Sequence, residues 1–310
     1  MFRRFQASRT GVSLAMLACL ANPLMLAEQT PAHSRGAWFW QSPASPYGSL
    51  HVLGKEELQE QTIARLKAWG VTTLYGSYRG DAVESRAELR AWNAKLARAG
   101  IASYLLLSET ELFFPDRQAA ADEKLRNGFV EFNATAKPEE RFQGLAFDIE
   151  PHILATTSSH AGWKDATSIQ RRDYLRNLLT FYQHVRTNIE PNTQLEATLP
   201  VWFSHLGGSV GWNNSAERDS WFRSMSSTCN RVSLMAFEQN SADKVLARSQ
   251  EERDLLGPAA RVALRANLGK EWGTLDDFWQ AAHSMEATTR TGIDIQDVAI
   301  LAAEEDKDKQ

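Results

Sequence analysis

From Gly36 onward, short apolar runs alternate with longer amphipathic stretches at intervals of roughly 25 to 45 residues, the rhythm of strands each followed by a covering helix. The runs predict strands at 36–41, 72–78, 101–108, 144–150, 194–202, 231–237, 261–268 and 297–302. Between them the apolar positions recur at helical spacing. Leu58, Ile63, Leu66 and Trp69 form one stripe that stops at Gly70, and Leu89, Trp92, Leu96 and Ala99 form another that stops at Gly100. Glycine just past the last turn is a common helix terminator, because it enters the left-handed region without a Cβ clash. A third stripe, Tyr174, Leu175, Leu178, Phe181, Tyr182 and Val185, ends before Pro191.

Eight strands, each but the last followed by a helix, predict an α/β fold: a single-domain (β/α)8 TIM barrel over 36–303. No eighth helix is evident, and 304–310 reads as a charged tail, so the barrel closes without that helix or takes its N-terminal segment as a cover. The first predicted strand ends in Trp40-Gln41-Ser42-Pro43, with no Gly-x-Gly-x-x-Gly, and no phosphate-binding loop motif follows any other strand. A nucleotide cofactor is therefore not expected.

Composition narrows the partners. With 43% hydrophobic and 23% charged residues the chain is globular, and 34 basic against 38 acidic side chains leave no field for gripping nucleic acid. Arg3, Arg4 and Arg9 precede an uncharged, mostly apolar run from Gly11 to Ala27, the order of an export signal. Residues 1–27 are thus expected to be removed, leaving a polar segment at 28–35 and no membrane span in a periplasmic or extracellular mature chain. Met16-Leu17-Ala18-Cys19 also resembles a lipoprotein box, which makes a lipid anchor on Cys19 the alternative. Cys229 is the other cysteine and reads as a packed thiol.

The stretch Gly144-Leu-Ala-Phe-Asp-Ile-Glu150 carries the most chemistry. Alternation puts bulky Leu145, Phe147 and Ile149 on one face and Gly144, Ala146, Asp148 and Glu150 on the other. In a barrel the small, acidic face points at the axis, where two carboxylates about 7 Å apart at Cα raise one another's proton affinity and supply an acid. The structural alternative is an ion pair with an inward cation such as Arg265, which shares a face of the seventh strand with Asn267. Aromatic residues on predicted strands or at their ends, Trp40, Tyr78, Tyr104 and Trp202, offer faces and hydroxyls to a sugar ring. Asp148, Glu150 and His152 at alternate positions would provide metal ligands if the strand ran on past Pro151, so a metal-dependent hydrolase or deacetylase is a lesser alternative.

Gly144, Asp148 and Glu150 occupy three of the five fixed positions of the fourth-strand signature Asp-Gly-x-Asp-x-Asp-x-Glu, and the segment resembles glycoside hydrolase family 18, the chitinase-like barrels. Ala197-Thr-Leu-Pro200 is similar to the family's Ala-x-x-Pro on the fifth strand, and Met235-Ala-Phe-Glu238 to its Met-x-Tyr-Asp on the sixth. The resemblance implies Glu150 as general acid and Asp148 as the group that orients a substrate acetamido oxygen, which then acts as nucleophile. Phe237 and Glu238 would line the same site. Gln143 and Ala146 stand where the family has aspartates, Phe237 where it has tyrosine, and the predicted last strand lacks tryptophan. The expectation is an exported glycosidase acting on a polysaccharide or oligosaccharide. The alternative is a non-catalytic glycan-binding or envelope-accessory barrel.

Overall fold

The computed structural model describes residues 34–78, 85–289 and 291–308, so the expected export signal and Cys19 lie outside the described residues. Eight parallel strands close in sequence order. They are β1 (Arg35–Phe39), β2 (Val71–Gly76), β3 (Ala102–Leu107), β4 (Gly144–Phe147), β5 (Gln194–Pro200), β6 (Arg231–Met235), β7 (Ala260–Arg265) and β8 (Gly292–Gln296). After β1 come α1 (Ser49–Val52) and α2 (Glu56–Ala68); after β2, α3 (Arg86–Arg98); after β3, α4 (Gln118–Leu125) and α5 (Glu131–Thr135). Each later strand has one helix: α6 (Ser168–Thr187), α7 (Ser215–Thr228), α8 (Ala242–Leu256), α9 (Leu275–Thr289) and α10 (Val298–Asp308). The expected TIM barrel is the observed fold.

Two apolar layers follow from the period-two alternation. The outer one holds Leu145, Phe147 and Ile149 with the inner stripes of the helices. The inner one holds Trp38, Tyr75, Tyr104, Leu106, Ala146 and Ala263, with Trp40 and Phe237 against it. The Tyr75 and Tyr104 rings meet edge to face at 5.6 Å, and Trp38 tilts onto Tyr75 at 5.5 Å, so aromatic rings fill the axis. Gly36 and Gly144 permit this filling: a Cβ on Gly144 would lie 2.7 Å from the Tyr104 ring, and one on Gly36 would strike Tyr75 and Asp294.

Below the rings the barrel is closed by charge. Arg261 is 4% exposed and Asp294 fully buried. Arg261 Nε donates to both Asp294 oxygens at 3.0 and 2.9 Å, and Nη2 to Oδ1 at 2.8 Å. Nη1 donates to the Ser34 hydroxyl at 2.8 Å, and Nη2 also to the Ser34 and Ile293 carbonyls at 2.8 and 3.0 Å. Asp294 accepts further bonds from Tyr75 at 3.0 Å and Ser233 at 2.6 Å. Glu196 lies in the same region, 1% exposed, and neither of its oxygens makes a well-formed hydrogen bond. Burial, and then Asp294, push its carboxyl up to about 8, against the pull of Arg261 and Arg231.

The end of the chain differs from the sequence expectation. The last strand is 292–296, not 297–302, and 298–308 is the eighth covering helix, not a strand and a charged tail. In β8 only Ile293 and Ile295 supply large apolar side chains, flanking a buried aspartate that a hydropathy pattern counts against a strand. Asp297 caps α10, its Oδ1 accepting from Ile300 N–H at 2.8 Å, and Val298, Leu301 and Ala302 form the buried helical stripe. The acidic end is anchored: Glu305 accepts from the Trp69 indole at 2.5 Å and Asp306 from Arg65 at 2.7 Å.

Removing one partner of a buried ion pair strands the other charge, so Asp294→Ala is expected to destabilise the fold by about 3 to 5 kcal/mol in urea unfolding; a loss below 1 kcal/mol would contradict the closing role. Glu196 binds its proton more tightly folded than unfolded, so its contribution is complete below the ordinary glutamate range and is lost as pH rises toward about 8. Melting temperatures of wild type and Glu196→Gln should therefore diverge in the variant's favour between pH 6 and pH 8, whereas a gap constant with pH would refute the shift.

Candidate active site

The register of β4 decides where its acids go. Tyr104 pairs with Gly144 and Leu106 with Ala146 on one side, and Ala146 with Glu196 on the other. The assigned strand stops at Phe147, earlier than the expected Glu150, yet Asp148 N–H still donates to the Leu107 carbonyl at 2.9 Å. On the outer side the Tyr182 hydroxyl of α6 donates to the Phe147 carbonyl at 3.2 Å and holds the strand end down. Pro151 then starts a short 3-10 turn at 151–153. It cannot donate to a ladder, which is why the pairing ends here.

Asp148 is 9% exposed and turned into the barrel, where Thr198 Oγ1 of β5 donates to its Oδ1 at 2.6 Å. Burial first and the neighbouring Glu150 second raise its pKa to about 6, opposed by the Thr198 bond and His152. The Glu150 side chain is 22% exposed, and its Oε2 lies 3.1 Å from His152 Nε2. The site thus offers one sheltered carboxyl that titrates near neutral pH and one solvent-reachable carboxyl beside it. Proton donation to a leaving group by the second, with the first stabilising nearby positive charge, is chemistry this pair can perform.

Other expected site residues are only partly brought together. Trp202, half-buried on the turn after β5, meets the His152 ring edge to face at 5.4 Å, so it stands beside Glu150. Trp40 and Phe237, both half-buried, pack on the inner aromatic layer. Tyr104, expected at the mouth, faces the axis deep in the barrel, 2% exposed beside Gly144, with the Arg231 guanidinium over its ring at 5.4 Å. Tyr78 is a correction. It stands three residues from inward-facing Tyr75, hence on the opposite face, and its hydroxyl accepts from the Trp92 indole at 3.1 Å in the helix layer.

Arg265 does not pair with Asp148 or Glu196. Its Nε donates to Glu271 at 2.9 Å, and its guanidinium lies 5.1 Å over the Phe237 ring. Glu271, 5% exposed in the β7–α9 loop, is the partner the sequence did not reveal, since loop residues carry no periodicity. Asn267 is beyond the end of β7, where its carbonyl accepts from Glu271 N–H at 3.0 Å in a turn; the strand expected to reach 268 stops at Arg265. Glu238 is exposed, with φ of 65°, a left-handed conformation uncommon for a residue with a side chain. Trp163, in the loop between β4 and α6, was likewise silent in the pattern and stacks on Phe203 at 5.6 Å. Beside the mouth a cleft of about 620 Å³ opens between the β6–α8 and β7–α9 loops, lined by Asn240, Ser241, Lys270, Glu271 and Gln280 among others. Among the described residues, no three histidine, cysteine, aspartate or glutamate side chains converge as a metal-ligand set.

No protein-family model matches the sequence, and no curated protein matches it. Solved structures do share the fold. The PgaB (BpsB) glycoside hydrolase domain from Bordetella bronchiseptica superimposes with a TM-score of 0.56 at 13% identity, over 89% of this chain and 97% of that one. A beta-mannanase from the blue mussel Mytilus edulis gives 0.55 at 11% identity, over 86% and 87%. A chitinase from Bacteroides thetaiotaomicron gives 0.54 at 11% identity, over 86% and 89%. What these structures share with the chain is the (β/α)8 barrel fold.

Carboxyl 13C NMR should show Asp148 titrating near pH 6. Glu150→Gln removes the repulsion and should lower that midpoint, and Thr198→Val removes the hydrogen bond and should raise it. Shifts of the opposite sign would refute this account of the pair.

Proposed function

We propose that the protein is a glycoside hydrolase that cleaves a polysaccharide, with Glu150 as general acid and Asp148 as its electrostatic partner. The observation that carries this reading is the pair just past the end of β4: Asp148 turned inward, sheltered and held by Thr198, and Glu150 beside it and open to solvent. Active sites of this barrel type gather at the C-terminal ends of the strands. The likeness to chitinase-like barrels on β4, β5 and β6 favours an N-acetylated amino-sugar polymer. On that substrate the Glu150 carboxyl gives its proton to the glycosidic oxygen as the bond from the anomeric carbon breaks. The substrate's acetamido oxygen bonds to that carbon from the other side, and Asp148 stabilises the positive charge left on the acetamido group. Water then attacks the anomeric carbon, the Glu150 carboxylate takes its proton, and the acetamido oxygen is released. The export signal read at 1–27 would deliver the barrel to the compartment where such polymers lie.

A specific feature favours the second reading, a barrel that binds glycan without cleaving it. Phe237 lies where the family carries a tyrosine, and its ring is covered by Arg265, so that position has no hydroxyl to offer.

A panel of chitohexaose, poly-N-acetylglucosamine, peptidoglycan and mannan separates the two. Wild type is expected to cleave at least one, and Glu150→Gln to slow that cleavage about 100- to 10,000-fold. Binding without turnover by wild type would leave the second reading standing, and unchanged turnover in Glu150→Gln would remove the proposed acid.

A further inference from the structure

The chain leaves the sheet after Pro200 pairs with Met235, and residues 201–214 run from the strand end to α7 without regular structure. A segment of this kind moves freely unless side chains tie it down. This one is tied at Ser204, which is fully buried and whose polar groups are all taken by side chains from two helices. Its N–H donates to Glu252 Oε1 at 3.1 Å, its hydroxyl donates to Glu251 Oε2 at 2.8 Å, and its carbonyl accepts from Arg218 Nη1 at 3.2 Å. Arg218 of α7 also pairs with Glu251 of α8, so the clamp joins both helices to the loop. Two further bonds secure its flanks: the Trp212 indole donates to the Phe203 carbonyl and Arg171 Nη1 to the Ser209 carbonyl, each at 2.6 Å.

Glu252 is the member that burial penalises most. It is fully buried, and its Oε2 has no hydrogen-bond partner among the described residues. An apolar side chain of similar size would fill the same face of α8 without that desolvation. What the carboxyl supplies instead is an acceptor for the amide two residues after Trp202. The intervening Phe203 is fixed as well, fully buried, stacked on Trp163 at 5.6 Å and edge-on to Trp221 at 6.4 Å. Trp202 is the ring that this arrangement leaves half-buried, against His152 at 5.4 Å and Trp163 at 6.0 Å, on the side of the mouth where Glu150 stands.

We infer that Glu252 and Ser204 are positioning residues that hold the Trp202 ring as the stacking face of a sugar subsite beside Glu150. The inference rests on the proposed glycosidase reading for its ligand, although the geometry of the clamp does not. A pyranose ring has an apolar face, and an indole covers it while leaving the hydroxyls free to hydrogen-bond. A ring already held when the sugar arrives loses little freedom on binding, so more of the stacking appears as affinity. Neither Ser204 nor Glu252 hydrogen-bonds to Asp148 or Glu150, so the clamp acts on binding and not on proton transfer. Its effect therefore belongs in KM, through Trp202, and not in kcat.

Two readouts test this. The Trp202 indole N–H resonance, assigned by its loss in Trp202→Phe, should be single and sharp in wild type. Glu252→Leu removes the acceptor and should split or broaden it, whereas Glu252→Gln keeps an acceptor for the Ser204 amide and should leave it unchanged. Arg218→Gln, which frees the Ser204 carbonyl, takes the place of Glu252→Leu if that variant does not fold. A wild-type resonance in the folded disrupting variant, or equal broadening in Glu252→Gln, would overturn the clamp whether or not any glycan is cleaved. On the glycan that wild type cleaves, Glu252→Leu should raise KM about 10-fold with kcat little changed, and should add nothing to the KM of Trp202→Ala. Losses that add in the double variant, or a fall confined to kcat, would overturn the link to Trp202. If no glycan in the panel is cleaved, the proposed function fails on its own terms and the Trp202 resonance still decides the clamp.

Discussion

The barrel depends on two opposite charges buried at its base. Arg261 on β7 and Asp294 on β8 meet each other, the residue before β1, and hydroxyls from β2 and β6, so one network ties together the strands that must close the sheet on itself. Such a pair contributes little relative to a well-packed apolar core, but every nitrogen of the fork and both oxygens of the carboxylate are occupied, so it admits one arrangement. Gly36 is the corollary, because the space a side chain would take belongs to Tyr75 and Asp294. With charge and aromatic rings filling the lower barrel, the upper inward positions of this strand are left to Ala146 and, just past it, Asp148.

The two acidic regions are electrostatically different although both face the axis. Glu196 is fully enclosed, between an aspartate and two arginines, and burial dominates its proton affinity. Asp148 is enclosed by one hydrogen-bond donor and one neighbouring acid, and Glu150 reaches solvent. The first arrangement suits closure and the second suits exchange of protons with a bound molecule. Depth along the axis, not composition, separates them.

What the sequence disclosed follows from which forces leave a periodic trace. Bulky Leu145, Phe147 and Ile149 against small and acidic neighbours declare both the strand and the direction of its acids, because every second residue meets the same environment. Seven of the eight strands, and with them the barrel's rhythm, were legible on that ground. The last strand was not, since its central residue is a buried aspartate whose partner is 33 residues away and invisible locally. Five apolar residues after it, Val298 to Ala302, look like a strand until Asp297 is seen to cap them as a helix. Tyr78 is three positions from Tyr75, a spacing that puts it on the other face, against the Trp92 indole. Inward acids on β4 and β5 are natural partners for Arg265 on pattern alone, whereas its actual partner Glu271 comes from a loop, where no rule of spacing reaches.

Pro151 draws a frontier in the chain. Upstream of it, backbone direction is dictated by the sheet, and Asp148 is the last residue whose amide takes part in the pairing. Downstream, the stretch from Leu154 to Thr167 is connected to the barrel by side-chain packing, not by ladder hydrogen bonds from neighbouring strands. Insertions or replacements in that stretch can remodel what arrives at the mouth while the coordinates of both acids stay fixed. The architecture therefore separates the fixed positions of the two acids from variation in the loop beside them, and the boundary between the two is a single imino acid.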